Sequence, residues 1–201
     1  MYFSLLWLLL RLVRLPFTLF GNYYWQRAWG FSAQSLASWW LDYTKNAALD
    51  LVLSTFGVLL FFLILKHWPR LWWVIGATLF AVWLVLQNFL WPVIVSPMFN
   101  HFEPVKDPAV INMAKDLAYH AGIQVDDVLV MDASRRTTMA NAYFMGLGTT
   151  KQIVIYDNLL QNYSLDEVRA VLAHEMGHWQ KGHIIDGLGL GVIGVFLVWG
   201  H

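Results

Sequence analysis

Hydrophobic and polar positions divide this chain into three regions. Residues 1–95 and 184–200 are predominantly apolar, and residues 96–183 hold most of the charge. The longest uncharged run is Leu71–Val95, 25 residues without Asp, Glu, Lys or Arg. That length crosses a hydrocarbon core of about 30 Å with some tilt. Gln87, Asn88 and Pro92 interrupt it and are expected to face a neighbouring helix or a wet cavity. A second span is expected over about 47–65, with Asp50 at its edge reaching the headgroups. The basic turn Lys66–Arg70 follows, with Trp68, Trp72 and Trp73 as interfacial anchors. Tyr2–Phe20 is apolar apart from Arg11 and Arg14. It reads as a span whose arginines face protein or water, with an interfacial helix as the alternative. Gly30–Lys45 is amphipathic and is expected near the membrane surface. Ile184–Gly200 reads as the start of a further span, with Gly187-x-x-x-Gly191 offering a close helix contact. The chain stops at His201 directly after it, as expected of a truncated protein.

The middle region, 96–183, reads as a water-facing α+β domain. Asp107-Pro108 is a helix start. Val110, Ile111, Ala114, Leu117, Ala118 and Ala121 follow at helical spacing, and Gly122 closes the helix. Asp127–Met131, Ala142–Met145 and Gln152–Tyr156 are short and rich in β-formers, which predicts a small sheet. The fold class is therefore mostly α, multi-pass membrane helices plus this small domain.

Composition sharpens that reading. The chain is 58% hydrophobic and 13% charged, and it carries 12 Trp. A soluble domain is nearer ~25% charged. Lys+Arg and Asp+Glu both total 13, which argues against a basic nucleic-acid binder. Having no cysteine, the chain offers no disulfides, thiolate metal sites or Cys nucleophiles.

The chemistry-bearing segment follows an explicit helix start. Ser164 and Glu167 form a capping box, with Tyr163 and Val168 placed for a hydrophobic staple. The helix is predicted from about Leu165 to Lys181 and carries His174-Glu175-Met176-Gly177-His178, an H-E-x-x-H motif. Its chance occurrence at this composition is about 0.004. Residues four apart stand on one helix face, so His174 and His178 can take adjacent corners of a zinc tetrahedron. Zinc makes hydroxide available near neutral pH and polarises the scissile carbonyl. Glu175, beside the metal, can take a proton from the attacking water and pass it to the leaving amine. The third ligand is open. His183 follows His178 at an offset of five, where the metzincin pattern has six. Glu167 belongs to the capping box, and Glu103 reads as a loop residue. A ligand beyond residue 201 is the simplest account. Arg135 and Arg136 can attract a substrate carboxylate, although a solvated loop is the plainer reading.

Six blocks carry a resemblance beyond the metal motif. They are Gly30-Phe31-Ser32-x-Gln34-Ser35, Pro97-Met98-Phe99-Asn100-x-Phe102-x-Pro104, Met131-Asp132-x-Ser134-x-Arg136, Asn141-Ala142-Tyr143-Phe144-x-Gly146, Ile153-Val154-x-Tyr156-Asp157 and His174-Glu175-x-Gly177-His178-Trp179. Over about residues 23–185 the chain resembles the type I CAAX prenyl endopeptidases, integral-membrane zinc metalloproteases. The resemblance implies one zinc ion held by His174, His178 and a glutamate on a later helix, with Glu175 as general base. It also implies a ring of seven membrane helices around a water-filled chamber, of which this chain supplies three or four. The Asn141–Gly146 block corresponds to the strand beside the cleft, making Asn141, Ala142 and Tyr143 candidates for binding an extended peptide. An ordinary sheet strand with Asn141 at a turn is the alternative.

The expected partners are a peptide or protein substrate, prenylated in the family's best-known reaction, and the lipid bilayer, with no nucleic acid. The expected location is the plasma or inner membrane of a bacterium or the endoplasmic reticulum of a eukaryote. The Lys66–Arg70 turn favours a cytoplasmic loop there, whereas the resemblance favours a cytosolic catalytic domain. Competing readings are a stress-response protease cutting misfolded membrane proteins, a truncated and inactive fragment or scaffold, and a transporter built on polar residues near the spans.

Overall fold

A computed structural model describes residues 2–147, 150–181 and 183–199. The chain forms two compact units. The first comprises residues 1–76 with the short segment Arg135–Thr138. The second comprises Ala77–Ser134 and Met139–His201. Packing thus divides the chain at Gly76 and again around residues 135–138, where composition alone suggests a change near residue 95.

In the first unit, α1 (Tyr2–Leu19) contains Pro16 and passes through a π-helical stretch, Phe20–Trp25, into Gln26–Ala28. Gly30, at φ +73°, ends it. The Phe31 N–H reaches Gln26 O at 2.8 Å and the Gly30 N–H reaches Arg27 O at 3.1 Å, the paired bonds of a Schellman stop. The next helix, α2 (Leu36–His67), is capped by Ser35, whose hydroxyl accepts from the Ser38 N–H at 3.2 Å. It runs unbroken for 32 residues. Most of the Gly30–Lys45 segment and the expected span over 47–65 are thus parts of one helix. The polar residues at that point bond back to their own helix, Thr44 to Leu41 O at 2.9 Å and Asn46 to Asp42 O at 2.9 Å. They need no break in it.

Asp50 lies roughly 21 Å along α2 from Leu36 and faces α1, where the Trp7 indole donates to it at 2.9 Å. Arg136 is no solvated loop residue. Its Nε and Nη2 grip Asp42 Oδ2 and Oδ1 at 2.7 and 3.0 Å, with both side chains largely buried. The flanking backbone bridges Ser32 to Thr137, and the Ala33 N–H donates to Arg136 O at 3.1 Å.

The helix α3 (Trp72–Leu90) contains the boundary between the units and continues through a π-helical turn, Trp91–Val95, to Ser96–Phe99. Gln87, Asn88, Trp91 and Pro92 line an open cavity of about 460 Å³, and the Asn88 amide donates to Leu84 O at 2.8 Å. Two helical segments, Tyr2–Ala28 and Leu36–His67, are long and apolar enough to cross a membrane, and Trp72–Asn88 and Asp186–Val198 are shorter apolar helices. Large apolar side chains on these helices point outward, Phe17, Phe56 and Val198 at 77%, 66% and 76% exposure. Water would not tolerate such faces, and a bilayer favours them.

The second unit is built on a four-stranded sheet of order β1-β2-β4-β3. The strands are β1 (Phe102–Pro104), β2 (Asp127–Met131), β3 (Ala142–Leu147) and β4 (Thr150–Tyr156). The β1–β2 and β3–β4 pairs are antiparallel and β2–β4 is parallel. Between β1 and β2 lies α4 (Pro108–His120), with the Asp107 carboxylate accepting from the Ala109 N–H at 2.8 Å and Gly122 at φ +69° behind it. After β4 come α5 (Asp157–Asn162), α6 (Leu165–Gln180) and α7 (His183–Trp199). Among the described residues, a Cβ at Gly187 or Gly191 would meet nothing within 4 Å, so the expected close helix contact is not made there.

Alternation assigns the sheet's two faces. Val128, Ala142, Ile153 and Ile155 join Ala114 and Ala118 of α4 and Val168, Leu172 and Met176 of α6 in the main core. Met131, Met145 and Val154 form a smaller cluster on the other face. Leu172 is completely buried at the centre of the stripe that seats α6. Leu172→Ala is expected to lower the unfolding free energy by about 2–5 kcal/mol. Thermal unfolding in detergent measures this, and an unchanged midpoint would show that the stripe does not hold the helix.

Candidate metal centre and active site

The motif helix starts as its sequence requires. The Ser164 N–H and hydroxyl both reach Glu167 Oε2 at 2.8 Å, and the Glu167 N–H returns to Ser164 Oγ at 3.4 Å. Tyr163 stays 47% exposed while Val168 enters the core. The capping box, then, fixes the first turn.

Val168, Leu172 and Met176 recur every four residues and are each at most 2% exposed. At about 100° per residue, the positions turned farthest from that stripe include 174 and 178. His174 and His178 are accordingly exposed, and Glu175 is partly buried beside them. The two ring Nε2 atoms stand 3.1 Å apart, with ring centroids at 4.7 Å and planes at 74°. Two ligand nitrogens at 2.0–2.1 Å from one zinc would be separated by about 3.3 Å along a tetrahedron edge. The pair therefore fits two corners of such a site. Two bare lone pairs at that distance repel, so the geometry calls for a proton or a cation between them.

Other expected ligands do not converge here. Among the described residues, no group of three His, Asp or Glu is placed to hold a metal ion. Glu103 is not a loop residue but part of β1, beside His101 at 3.4 Å and Lys106 at 4.0 Å. Glu167 is held by its cap. His183 opens α7; its side chain, and Gly182 before it, lie outside the described residues. His120 bonds Asp116 O at the end of α4, and His67 bonds Leu63 O at the end of α2.

Two of the expected substrate residues, Ala142 and Tyr143, begin β3, the edge strand of the described sheet, against which α6 packs. Asn141 immediately precedes β3. Its carbonyl accepts from the Tyr156 N–H at 3.0 Å, and its side chain accepts from the Ala142 N–H at 2.8 Å. The Ala142 side chain is 1% exposed in the core, so only its main chain is available to a ligand. Tyr143 packs on the opposite face, its hydroxyl 3.7 Å from Met131 Sδ. Burial pushes the phenols of Tyr143 and Tyr156 above the ordinary tyrosine value, which keeps both neutral at physiological pH.

A family profile described as the CAAX prenyl protease N-terminal region, with five membrane helices, matches residues 1–101. The profile of peptidase family M48 matches residues 104–200. The chain belongs to the CAAX prenyl protease family of M48 peptidases. It is 35% identical over 199 residues to CAAX prenyl protease 1 of Saccharomyces cerevisiae, covering 98% of this chain and 44% of that protein. It is 32% identical over 181 residues to the uncharacterized metalloprotease YhfN of Bacillus subtilis, covering 90% of this chain and 42% of that protein. The crystal structure of S. mikatae Ste24p superposes with a TM-score of 0.91 at 32% identity, covering 99% of this chain and 46% of that one. The chain thus spans less than half the length of these relatives.

Residues of the motif blocks, scattered in sequence, meet one another or their near neighbours in space. Asp132 accepts from the His101 N–H at 2.7 Å. Asp157 accepts from the Ser134 N–H at 2.8 Å and from the Ser134 hydroxyl. Asn158 donates to Met139 O at 2.9 Å. Arg136 meets the Gly30–Ser35 block through Ser32, whose hydroxyl donates to Arg136 O at 3.1 Å. Asp42 escaped the motif reading; an acidic residue early in an apolar helix was its one signal.

Two hydrogen bonds from Ser164 hold the Glu167 carboxyl below the usual glutamate range. A depressed folded value means that the cap's contribution is complete above the ordinary carboxylate range and is lost as pH falls through the folded value. Hydrogen exchange of the first-turn amides of α6, corrected for intrinsic rate, should accelerate on acidification. Glu167→Gln should flatten that dependence, and an unaltered profile would count against the cap.

Proposed function

We propose that this chain is the N-terminal catalytic part of a multi-pass, membrane-embedded zinc endopeptidase that hydrolyses peptide bonds. Relatives bear the name CAAX prenyl protease, which gives the substrate class: C-terminal CAAX segments of prenylated proteins. The observation that carries the reading is the convergence of His174 and His178 Nε2 at 3.1 Å on the exposed face of a helix packed against an edge strand.

In this reading His174 and His178 hold the zinc, and a glutamate outside these 201 residues completes the protein ligands. Bound zinc supplies Lewis acidity, lowering the pKa of water and polarising the scissile carbonyl. Glu175, one residue along from His174, takes the proton from the attacking water on a carboxylate oxygen. It then delivers that proton to the leaving amine nitrogen, so that the amine departs neutral. The edge of β3 aligns an extended peptide through main-chain hydrogen bonds near Asn141–Tyr143. The Asn141 side chain, already on the Ala142 N–H, sets where such a strand begins to pair. The outward apolar helices keep the site in the bilayer, where a lipidated substrate resides.

Glu175→Gln, in a protein spanning the relatives' full length, is expected to keep its zinc and to lose about 10²–10⁴-fold in turnover of a prenylated CAAX peptide. Undiminished turnover would remove Glu175 from the role of base. Metal analysis of purified His174→Ala and His178→Ala should show zinc falling from one per chain toward none. A zinc content equal to that of the parent in either variant would refute the ligand pair and favour the scaffold reading.

A further inference from the structure

The segment Arg135–Thr138 belongs to the first unit, and the residues on either side of it belong to the second. The chain returns at Met139 and begins β3 at Ala142. Hydrogen bonds hold each of residues 136–138. The carbonyls of Gly30 and Phe31 lie just past the helix that ends at Ala28, outside its ladder. Thr138 takes both, its hydroxyl on Gly30 O at 2.7 Å and its N–H on Phe31 O at 3.3 Å. The Thr137 hydroxyl also reaches Phe31 O, at 3.1 Å. The Arg136 carbonyl accepts from the Ala33 N–H and from the Ser32 hydroxyl, both at 3.1 Å.

The Arg136 side chain completes the arrangement. Its fork on Asp42 is bidentate and largely buried. Asp42 Oδ2 also accepts from the buried Gln34 Nε2 at 2.7 Å, and Arg27 Nη1 donates to Gln34 O at 3.0 Å. A buried ion pair adds little net stability over an apolar contact of the same volume. What a planar fork on a carboxylate does add is a single orientation. Residue 136 is therefore fixed through its side chain and its carbonyl at once.

The chain from there to β3 is short and anchored. The buried Asn158 amide donates to Met139 O at 2.9 Å, and the Tyr156 N–H donates to Asn141 O at 3.0 Å. Bonded and non-bonded pairs alternate along an antiparallel ladder. Asn141 is bonded to Tyr156, and Ala142 lies opposite Ile155. Ala142 accordingly turns its main chain away from β4, toward the outer edge of the described sheet. The Asn141 side chain takes the Ala142 N–H, and the Ala142 carbonyl is the first acceptor that β3 presents on that edge.

We propose that Arg136, acting through Asp42, is a positioning residue of the reaction: it fixes the start of β3, and with it the Ala142 carbonyl on which an extended substrate pairs. The role rests on the peptidase reading above.

Hydrogen exchange and steady-state kinetics test it in a protein spanning the relatives' full length. The first readout needs no activity. Arg136→Gln and Arg136→Lys should each speed exchange of the Met139–Tyr143 amides about tenfold, with the β2 amides as in the parent. Lys keeps the charge but not the fork, so its failure to restore protection separates orientation from charge. Asp42→Asn should loosen the same amides, and combining it with Arg136→Gln should add little. Thr44→Ala, on the same helix, should match the parent. Arg136→Lys and Asp42→Asn carry the test if Arg136→Gln does not fold. In the second readout, KM for a prenylated CAAX peptide should rise about tenfold, as for the loss of one main-chain hydrogen bond, with kcat within about twofold and zinc at one per chain. A merely structural clamp would lower the folded fraction, and so the apparent kcat, and leave KM alone. Parental exchange at Met139–Tyr143, or faster exchange with a parental KM, would overturn the role while the peptidase reading stood. Faster exchange in a protein whose parent cuts no such peptide would sink the peptidase reading and leave Arg136 as a tether of the strand.

Discussion

The rotation of α6 about its own axis is the constraint on which the catalytic reading depends. Val168, Leu172 and Met176 are buried against a sheet whose Ile153 and Ile155 are completely enclosed. That burial fixes which side of the helix faces out. A slip of one residue would turn the helix by about 100°, drawing a histidine toward apolar packing and separating the ring pair from the open face. The imidazoles therefore need no dedicated support to point the same way. Four-residue spacing brings them together, and the opposite stripe tells them where to look.

The same logic governs β3. Alternation sends Ala142 and Phe144 toward the main core and Tyr143 and Met145 toward the smaller cluster. A strand with both faces occupied by packing offers a ligand its main chain. This is consistent with a protease that reads substrates by backbone alignment. Around it, Ser134 with Asp157 and Asn158 with Met139 fix the loop that feeds the strand.

Features encoded by neighbouring residues were legible in the sequence. Asp107 before Pro108, Gly122 behind α4 and Ser164 with Glu167 each specify a helix end through contacts spanning a few positions. The H-E-x-x-H spacing carries its own geometry. Features that depend on distant partners were not. Glu103 looked like a loop residue because β1 is three residues long and exists through its pairing with β2. Arg136 looked solvated because its partner, Asp42, lies 94 residues away. Nor do the polar residues near Lys45 end a helix, because Thr44 and Asn46 bond to carbonyls of the helix that carries them.

The behaviour of these polar residues has a general cause. In a water-facing segment a polar residue is satisfied by solvent, so it is a fair sign of a surface or a turn. In an apolar helix solvent is scarce and an unpaired polar group is costly, so the same residue indicates a partner. Asp50 meets Trp7 across two helices, Asp42 meets Arg136 and Gln34, and Gln87 and Asn88 line a cavity with Pro92. In the apolar part of this chain, charge is accordingly a better guide to tertiary contact than to element boundaries.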